Sequence, residues 1–183
     1  MYNNPELIYA CKKNDEKAQK FLYEKYKNRL MGLCIRYTGK REEAEDVFQE
    51  SFIKIFKNIK NVRKPEYLER WMKHLTINTA INHYRRKNKI SFDNIYEIDC
   101  ESNVYENILS DIDSERLLEI IHNMPDGYKI VFQLYVIEGY THKEIAKLVD
   151  ISENTSKSQL SRAKAYLKRK LEGLGITKFE RYG

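Results

Sequence analysis

Apolar residues recur at three- and four-residue intervals along most of the chain, the spacing that gathers side chains on one face of an α-helix. In the first half, this pattern predicts a helix that Asn14 or Asp15 starts and Gly39 stops. It predicts a second helix over about residues 41–59 and a third over about residues 66–86. The second is the most regular, because its apolar positions keep helical spacing for four turns.

The helical pattern fades over residues 91–113 and then resumes. Ser114 is the predicted cap of a helix that extends through Ile121. Residues 123–127 break this helix because they include a proline and a glycine, and residues 128–138 form the next predicted helix. The whole chain contains only 3 prolines and 7 glycines, which also favours an all-α fold.

The stretch from Tyr140 to Leu171 predicts two short helices joined by a tight turn. Asp150 lies where the chain must reverse, and aspartate enters the left-handed backbone region at low cost. Ser152 can then cap the second helix by accepting a backbone N–H. The predicted inner face of this second helix consists of Ser156, Leu160, Ala163, Leu167 and Leu171.

The predicted outer face of the same helix carries small polar and basic side chains: Asn154, Lys157, Ser158, Ser161 and Arg162. From Lys157 to Lys170 there are six basic residues and no acidic ones. A braced helix with such a face fits the DNA major groove, with residues near its start reading bases and later ones, including Lys164 and Lys168, holding phosphates. An ordinary amphipathic hairpin with a solvated basic face is the alternative.

Charge divides the chain into three parts. Residues 1–90 carry 21 Lys/Arg and 11 Asp/Glu, residues 91–113 carry 7 acids and no Lys or Arg, and residues 114–183 carry 12 basic and 9 acidic residues. We interpret the acidic part as a linker between two small helical domains. Apolar residues alternate with its acids, so it is either a loose tether or a segment ordered against a basic partner.

The predicted second helix carries an acidic face opposite its core face. Asp46, Gln49, Glu50 and Ile53 fall at helical spacing, which places an exposed aliphatic residue beside two carboxylates. A solvated surface near a helix N-terminus also explains this composition, because the helix dipole favours acids there. From the pattern alone, a binding face and a solvated face both remain open.

The predicted third helix carries residues that are unusual for a core or a neutral surface: Trp71, Asn78, Asn82, Tyr84, Arg85 and Arg86. Aromatic rings, amides and guanidinium groups together can stack on unpaired bases, bind their edges and hold nearby phosphates. This set therefore favours a single-strand binding surface. A core position for Trp71 is the alternative.

Composition adds the class of partner and several exclusions. The formal net charge is +6, which favours a polyanion. The 3 cysteines lie far apart, which is typical of reduced thiols in a cytoplasmic protein, and we find no signal peptide and no membrane span. The 4 histidines stand apart from catalytic or metal-binding partners, and there is no glycine-rich phosphate loop. We therefore predict no enzyme activity, metal or cofactor.

Three motifs in order resemble bacterial RNA polymerase sigma factors of the extracytoplasmic-function type, in the sigma-70 family. They are AEDVFQESFIKIFKNI at Ala44–Ile59, YLERWMKHLTINTAINHYRRKNK at Tyr67–Lys89, and MPDGYKIVFQLYVIEGYTHKEIAKLVDISENTSKSQLSRAKAYLKRKL at Met124–Leu171. The resemblance implies that these stretches bind polymerase, capture and melt the proximal promoter element, and read the distal promoter element. It also implies that the linker passes through polymerase channels otherwise used by nucleic acid.

The resemblance implies core RNA polymerase and promoter DNA as partners, with an anti-sigma protein as a further candidate. The chain departs from the family at four positions. Ser156 replaces a commonly aliphatic residue and Gln159 a frequently basic one, while Asp150 replaces a common glycine and Asn82 a common aspartate. These departures concern the promoter sequence that is read. We predict two all-α domains, residues 1–90 and 114–183, with a C-terminal helix-turn-helix. A helix-turn-helix regulator that does not melt DNA, and a helical adaptor that binds protein, are the alternative functions.

Overall fold

The computed structural model describes residues 2–62, 64–88 and 114–176, and within these ranges it contains helices and turns but no strand. The all-α prediction is therefore confirmed. The helices are α1 Asn4–Lys12, α2 Glu16–Thr38, α3 Arg41–Asn58, α4 Leu68–Asn88, α5 Ser114–His122, α6 Asp126–Phe132, α7 His142–Val149 and α8 Glu153–Glu172. The chain forms two compact units, Met1–Lys89 and Ile90–Gly183. The predicted linker, 91–113, lies outside the described residues.

The first unit is a bundle in which α2, α3 and α4 pack against one another. Asp15 starts α2 as predicted, its side chain accepting a hydrogen bond from the Ala18 N–H at 2.8 Å. Gly39 ends α2 in the left-handed conformation at φ 75°, which glycine adopts without the strain of a side chain. The largest fully buried side chains of the bundle come from all of its helices: Leu7, Leu22, Ile55, Ile59, Leu68, Met72, Ile77 and Ile81.

Helix α1 was not predicted from the apolar pattern. It begins with a capping box, in which the Asn3 side chain accepts from the Glu6 N–H and the Glu6 carboxylate accepts from the Asn3 N–H. Its Lys12 Nζ donates to the Val62 carbonyl at 3.1 Å, which ties α1 to the turn after α3. The helix therefore braces the end of the predicted polymerase-binding helix.

Two cysteines lie inside the first unit, both as free thiols. Burial raises the pKa of Cys34 to about 12 and, with a contribution from Asp15, that of Cys11 to about 11. Both thiols therefore stay protonated near neutral pH. In the part of the chain that the structure describes, no helix has both the length and the apolarity that a membrane crossing requires.

The second unit consists of α5–α8, with α8 packed against α6 and α7. The predicted helix over 128–138 begins earlier, at Asp126, and its last five residues, Gln133–Ile137, form a π-helix that ends before Gly139. The predicted turn between the last two helices is confirmed. Asp150 has φ 64° and ψ 54°, and Ser152 accepts from the Thr155 N–H at 2.9 Å to cap α8. Helices α7 and α8 form the helix-turn-helix.

Candidate nucleic-acid interfaces

Helix α8 divides its faces as the sequence predicts. All five predicted inner residues are buried: Ser156, Leu160, Ala163, Leu167 and Leu171. Of the predicted outer residues, Asn154 and Lys157 are exposed, while Ser158, Ser161 and Arg162 are half-buried, and Lys168 further along is exposed. The capped N-terminus of α8 thus presents an amide and an ammonium group first and a guanidinium group two turns later. In helix-turn-helix proteins the residues near the start of the recognition helix are the ones that contact base edges.

Lys164 lies differently from the prediction that it holds phosphates. It is only 6% exposed, because helical spacing puts it on the same stripe as Leu160 and Leu167. Gln159 is likewise buried, at 4% exposed, although the resemblance places basic, phosphate-contacting residues at that position. The exposed basic residues of α8 are Lys157, Lys168, Arg169 and Lys170, and Arg162 is half-buried, whereas Lys164 is inside.

The contact between α7 and α8 includes a polar pair that the sequence did not reveal. His142 Nδ1 lies 2.9 Å from the Oγ of buried Ser156, and the His142 ring stacks on Tyr135 with centroids 4.5 Å apart. Burial lowers the pKa of His142 and the nearby Lys157 lowers it further, while Glu153 acts in the opposite direction. Ser156 therefore has a hydrogen-bonded partner at a position where an aliphatic residue would pack by contact alone.

The lowered pKa of His142 makes the second unit sensitive to acid. The unfolded chain takes up a proton near pH 6.5, the ordinary histidine value, whereas the folded chain resists protonation until a lower pH. Stability is therefore fully present above pH 6.5 and is lost as the pH falls through the folded pKa. We expect the unfolding temperature of the wild type to drop more than that of His142→Phe between neutral and mildly acidic pH. Differential scanning calorimetry of both proteins measures this, and equal drops would contradict it.

Helix α4 gathers most of its predicted functional residues on one stripe. Trp71, Asn78, Asn82 and Arg85 are separated by seven, four and three residues along one uninterrupted helix, so they face the same side. Asn78 and Asn82 are exposed, and Trp71 and Arg85 are half-buried. Trp71 is thus neither a fully buried core residue nor a fully exposed surface residue. Half-buried Tyr84 lies away from this stripe.

Helix α3 presents the predicted acidic face. Asp46 and Gln49 are exposed, and Ile53 is 54% exposed, which is unusual for an isoleucine in a helix whose other face is well packed. Glu50 differs from its neighbours because its carboxylate is bonded within the protein. Its Oε1 lies 2.7 Å from Lys54 Nζ and its Oε2 lies 3.0 Å from the Arg86 guanidinium.

The Glu50–Arg86 ion pair joins α3 to α4, whereas the Glu50–Lys54 pair lies within α3. Lys54 Nζ also donates to Thr79 Oγ1 at 3.3 Å, so one ammonium group contacts both helices. The hydrogen bond from Lys54, together with Arg86, holds the pKa of Glu50 below its ordinary value against the opposing effect of burial. Glu50 is therefore ionised at neutral pH, and its charge is largely balanced by the two cations.

An open cleft of about 490 Å³ lies where these groups meet. Its lining residues are Glu50, Lys54, Asn82, Arg85 and Arg86. The structure thus brings one predicted polymerase-binding residue together with three predicted DNA-binding residues. Lys54 was not among the residues predicted from the sequence. Its only signal is its position four residues after Glu50, the spacing of a helical ion pair.

Two family models match the two units. The model described as Sigma-70 region 2 matches residues 22–90, and the model described as Sigma-70, region 4 matches residues 114–167. The first contains the α3 and α4 surfaces, and the second contains the helix-turn-helix.

Curated relatives and solved structures match over nearly the full length. The ECF RNA polymerase sigma-E factor of Haemophilus influenzae is 29% identical over 92% of this chain and 95% of the relative. The ECF RNA polymerase sigma factor SigW of Bacillus subtilis is 28% identical over 91% of this chain and 96% of the relative. The sigma factor RpoE, solved with the anti-sigma factor NepR from Bartonella quintana, shares the fold at 17% identity, TM-score 0.52, 84% of this chain and 96% of that chain. This chain belongs to the extracytoplasmic-function group of the sigma-70 family, and it is a sigma factor that directs RNA polymerase to promoters.

Proposed function

We propose that the two units divide promoter recognition between a polymerase-binding, strand-opening domain, residues 1–90, and a duplex-reading domain, residues 114–183, joined by residues 91–113. The α4 stripe of Trp71, Asn78, Asn82 and Arg85 carries this proposal. A regulator that only reads duplex DNA has no use for a half-open indole beside two amides and a guanidinium. That combination fits bases taken out of the stack.

Strand opening in this proposal uses binding energy and no chemical step. The α4 stripe contacts bases only when they leave the duplex, so it binds the open promoter and not the closed one. Such differential binding shifts the closed–open equilibrium toward the open form. We accordingly assign no enzymatic activity to the chain, and a promoter-directed function places its work in the cytoplasm.

Duplex reading is assigned to α8. Asn154 and Lys157 are exposed near its capped end, and Ser158, Ser161 and Arg162 follow as half-buried residues; all five are proposed to contact base edges and flanking phosphates. Exposed Lys168 is proposed to hold phosphate further along. Lys164 was predicted for the same task, and its burial means that this role needs its side chain to turn outward.

Polymerase binding is assigned to the α3 face of Asp46, Gln49, Glu50 and Ile53. An exposed isoleucine ringed by polar groups is typical of a small apolar contact with a polar rim. Because solved structures with this fold include a sigma factor with an anti-sigma protein, we also propose an anti-sigma partner for this chain.

The polymerase face gives a direct binding prediction. Asp46→Lys combined with Ile53→Ala is expected to weaken binding to core RNA polymerase by about tenfold or more, since it removes both the charge and the apolar contact. The measurement is titration of labelled protein with core enzyme. Glu45→Lys is the matched control, because Glu45 is an exposed carboxylate on the same helix that pairs with Arg41 and is not one of the four predicted contact residues. Equal losses in the two proteins would remove the face from the interface.

Run-off transcription tests the function as a whole. Genomic fragments are transcribed by purified core polymerase with and without this chain. Specific transcripts that appear only with the chain are expected. Specific DNA binding without polymerase, and no chain-dependent transcript, would instead identify a stand-alone regulator.

A further inference from the structure

The cleft between α3 and α4 contains more positive charge than the predicted site residues account for. Three of its lining side chains are cations, Lys54, Arg85 and Arg86, and one is a carboxylate, Glu50. Cationic side chains therefore outnumber carboxylates among the residues that line the cleft. Asn82 adds a neutral amide at the same wall.

We propose that this cleft is a phosphate-binding site for the backbone of the opened DNA strand, that Lys54 is one of its contact residues, and that Glu50 is its internal counter-ion. The inference rests on the proposed function, because it places the backbone of the same strand whose bases the α4 stripe contacts. It adds a residue of α3 to a surface otherwise built from α4.

The geometry favours phosphate over a neutral ligand. Lys54 Nζ is held at the cleft by Glu50 at 2.7 Å and Thr79 at 3.3 Å, so its charge is fixed before DNA arrives. The Arg86 guanidinium on α4 lies 3.0 Å from the Glu50 carboxylate. Its planar pair of N–H donors can bind two oxygens of a phosphate. Asn82 and Arg85 belong to both the cleft and the base-binding stripe, so a strand whose bases lie on the stripe passes its backbone along the cleft.

Glu50 has the properties of an exchangeable counter-ion. It is ionised at neutral pH, so it competes directly with phosphate for the two cations. The Arg86 side chain is 64% exposed in this pair, and ion pairs with that much solvent access are weak. A DNA phosphate can therefore take over Arg86 while Lys54 keeps its contact with Thr79. Without DNA, Glu50 holds both cations in place and reduces their attraction for other polyanions.

The test compares single-charge variants in holoenzyme assembled with core polymerase, bound to a pre-melted promoter over a series of salt concentrations. Lys54→Ala is expected to weaken binding several-fold and to reduce the slope of log K against log salt by about 0.7, one single-strand phosphate contact. Glu50→Gln is expected to act in the opposite direction, with tighter binding and a steeper slope, because the cations lose their competitor. The proposed site therefore predicts that the salt slope changes in opposite directions in Lys54→Ala and Glu50→Gln.

The controls match each charge change outside the cleft. Glu45→Gln removes an exposed carboxylate from the same helix, and Lys20→Ala removes an exposed ammonium from α2. Unchanged slopes for Lys54→Ala and Glu50→Gln, or slopes that change equally in the controls, would overturn the proposal. A Glu50→Gln protein that assembles poorly but keeps the wild-type slope would make Glu50 a polymerase contact alone. Chain-dependent run-off transcription, measured on the same proteins, shows separately whether the proposed function holds.

Discussion

Trp71→Ala is expected to slow the opening of a duplex promoter by roughly 5- to 150-fold, the equivalent of one lost base–aromatic stack of about 1–3 kcal/mol. Transcription from a template with a pre-melted bubble should fall much less, because those bases no longer have to be captured from the stack. Permanganate footprinting of the opened strand over time gives the opening rate, and run-off yield on the bubble template gives the comparison.

Two further proteins make the Trp71 result interpretable. Trp71→Phe keeps an aromatic face and is expected to restore most of the opening rate, which a purely structural defect would not predict. Tyr9→Ala removes an aromatic ring that is 62% exposed on α1, outside the stripe, and should open promoters normally. Equal defects of Trp71→Ala on duplex and bubble templates would show that the ring serves packing or polymerase docking instead.

The second large effect concerns the recognition helix. Arg162→Ala or Lys157→Ala is expected to reduce specific promoter binding by about 1–3 kcal/mol and to relax preference at one or two base pairs of the distal element. Lys168→Ala should weaken binding on all sequences alike and lower the salt slope by about one unit, since a phosphate contact carries no sequence information. Selection of distal elements from random sequence by each holoenzyme separates the two effects.

The orientation of α8 in the groove depends on that separation. If Asn154, Lys157 and Arg162 variants all select the wild-type motif while Lys168→Ala changes it, the helix lies the other way round. Lys168 Nζ also lies 3.9 Å from Glu172 Oε1. This exposed ion pair is too weak for its loss to explain a change in the selected motif.

Local signals predicted the elements of this fold well. Asp15, Gly39, Asp150 and Ser152 each act within a few residues along the chain, and each lies where backbone chemistry required. Helix α1 followed the same rules, because Asn3 and Glu6 form a capping box that is visible in the sequence. It was missed because the apolar pattern there is short.

Sequence patterns could not predict contacts between residues that lie far apart along the chain. Glu50 and Arg86 are 36 positions apart, and nothing in the spacing of either helix reveals that their side chains meet. The bond between His142 and Ser156 depends on how two helices cross, and the π-helix depends on packing that no propensity scale contains. Lys164 shows the converse case. Its spacing from Leu160 and Leu167 places Lys164 on the inner face of α8, where it is buried. Its charge, however, led to the prediction that it contacts phosphates on the outside.

The left-handed turn at Asp150 has a consequence for how this family can change over time. A non-glycine residue at φ 64° carries backbone strain of roughly 1 kcal/mol that glycine avoids, so the two residues are separated by a small step in stability. Aspartate and glycine codons differ by a single nucleotide. One point mutation can therefore exchange the two with little loss of stability, and the exchange adds or removes one negative charge at the turn between α7 and α8. Under the proposed duplex-reading role of α8, such a point mutation changes the charge beside the recognition helix while the helix sequence stays unchanged.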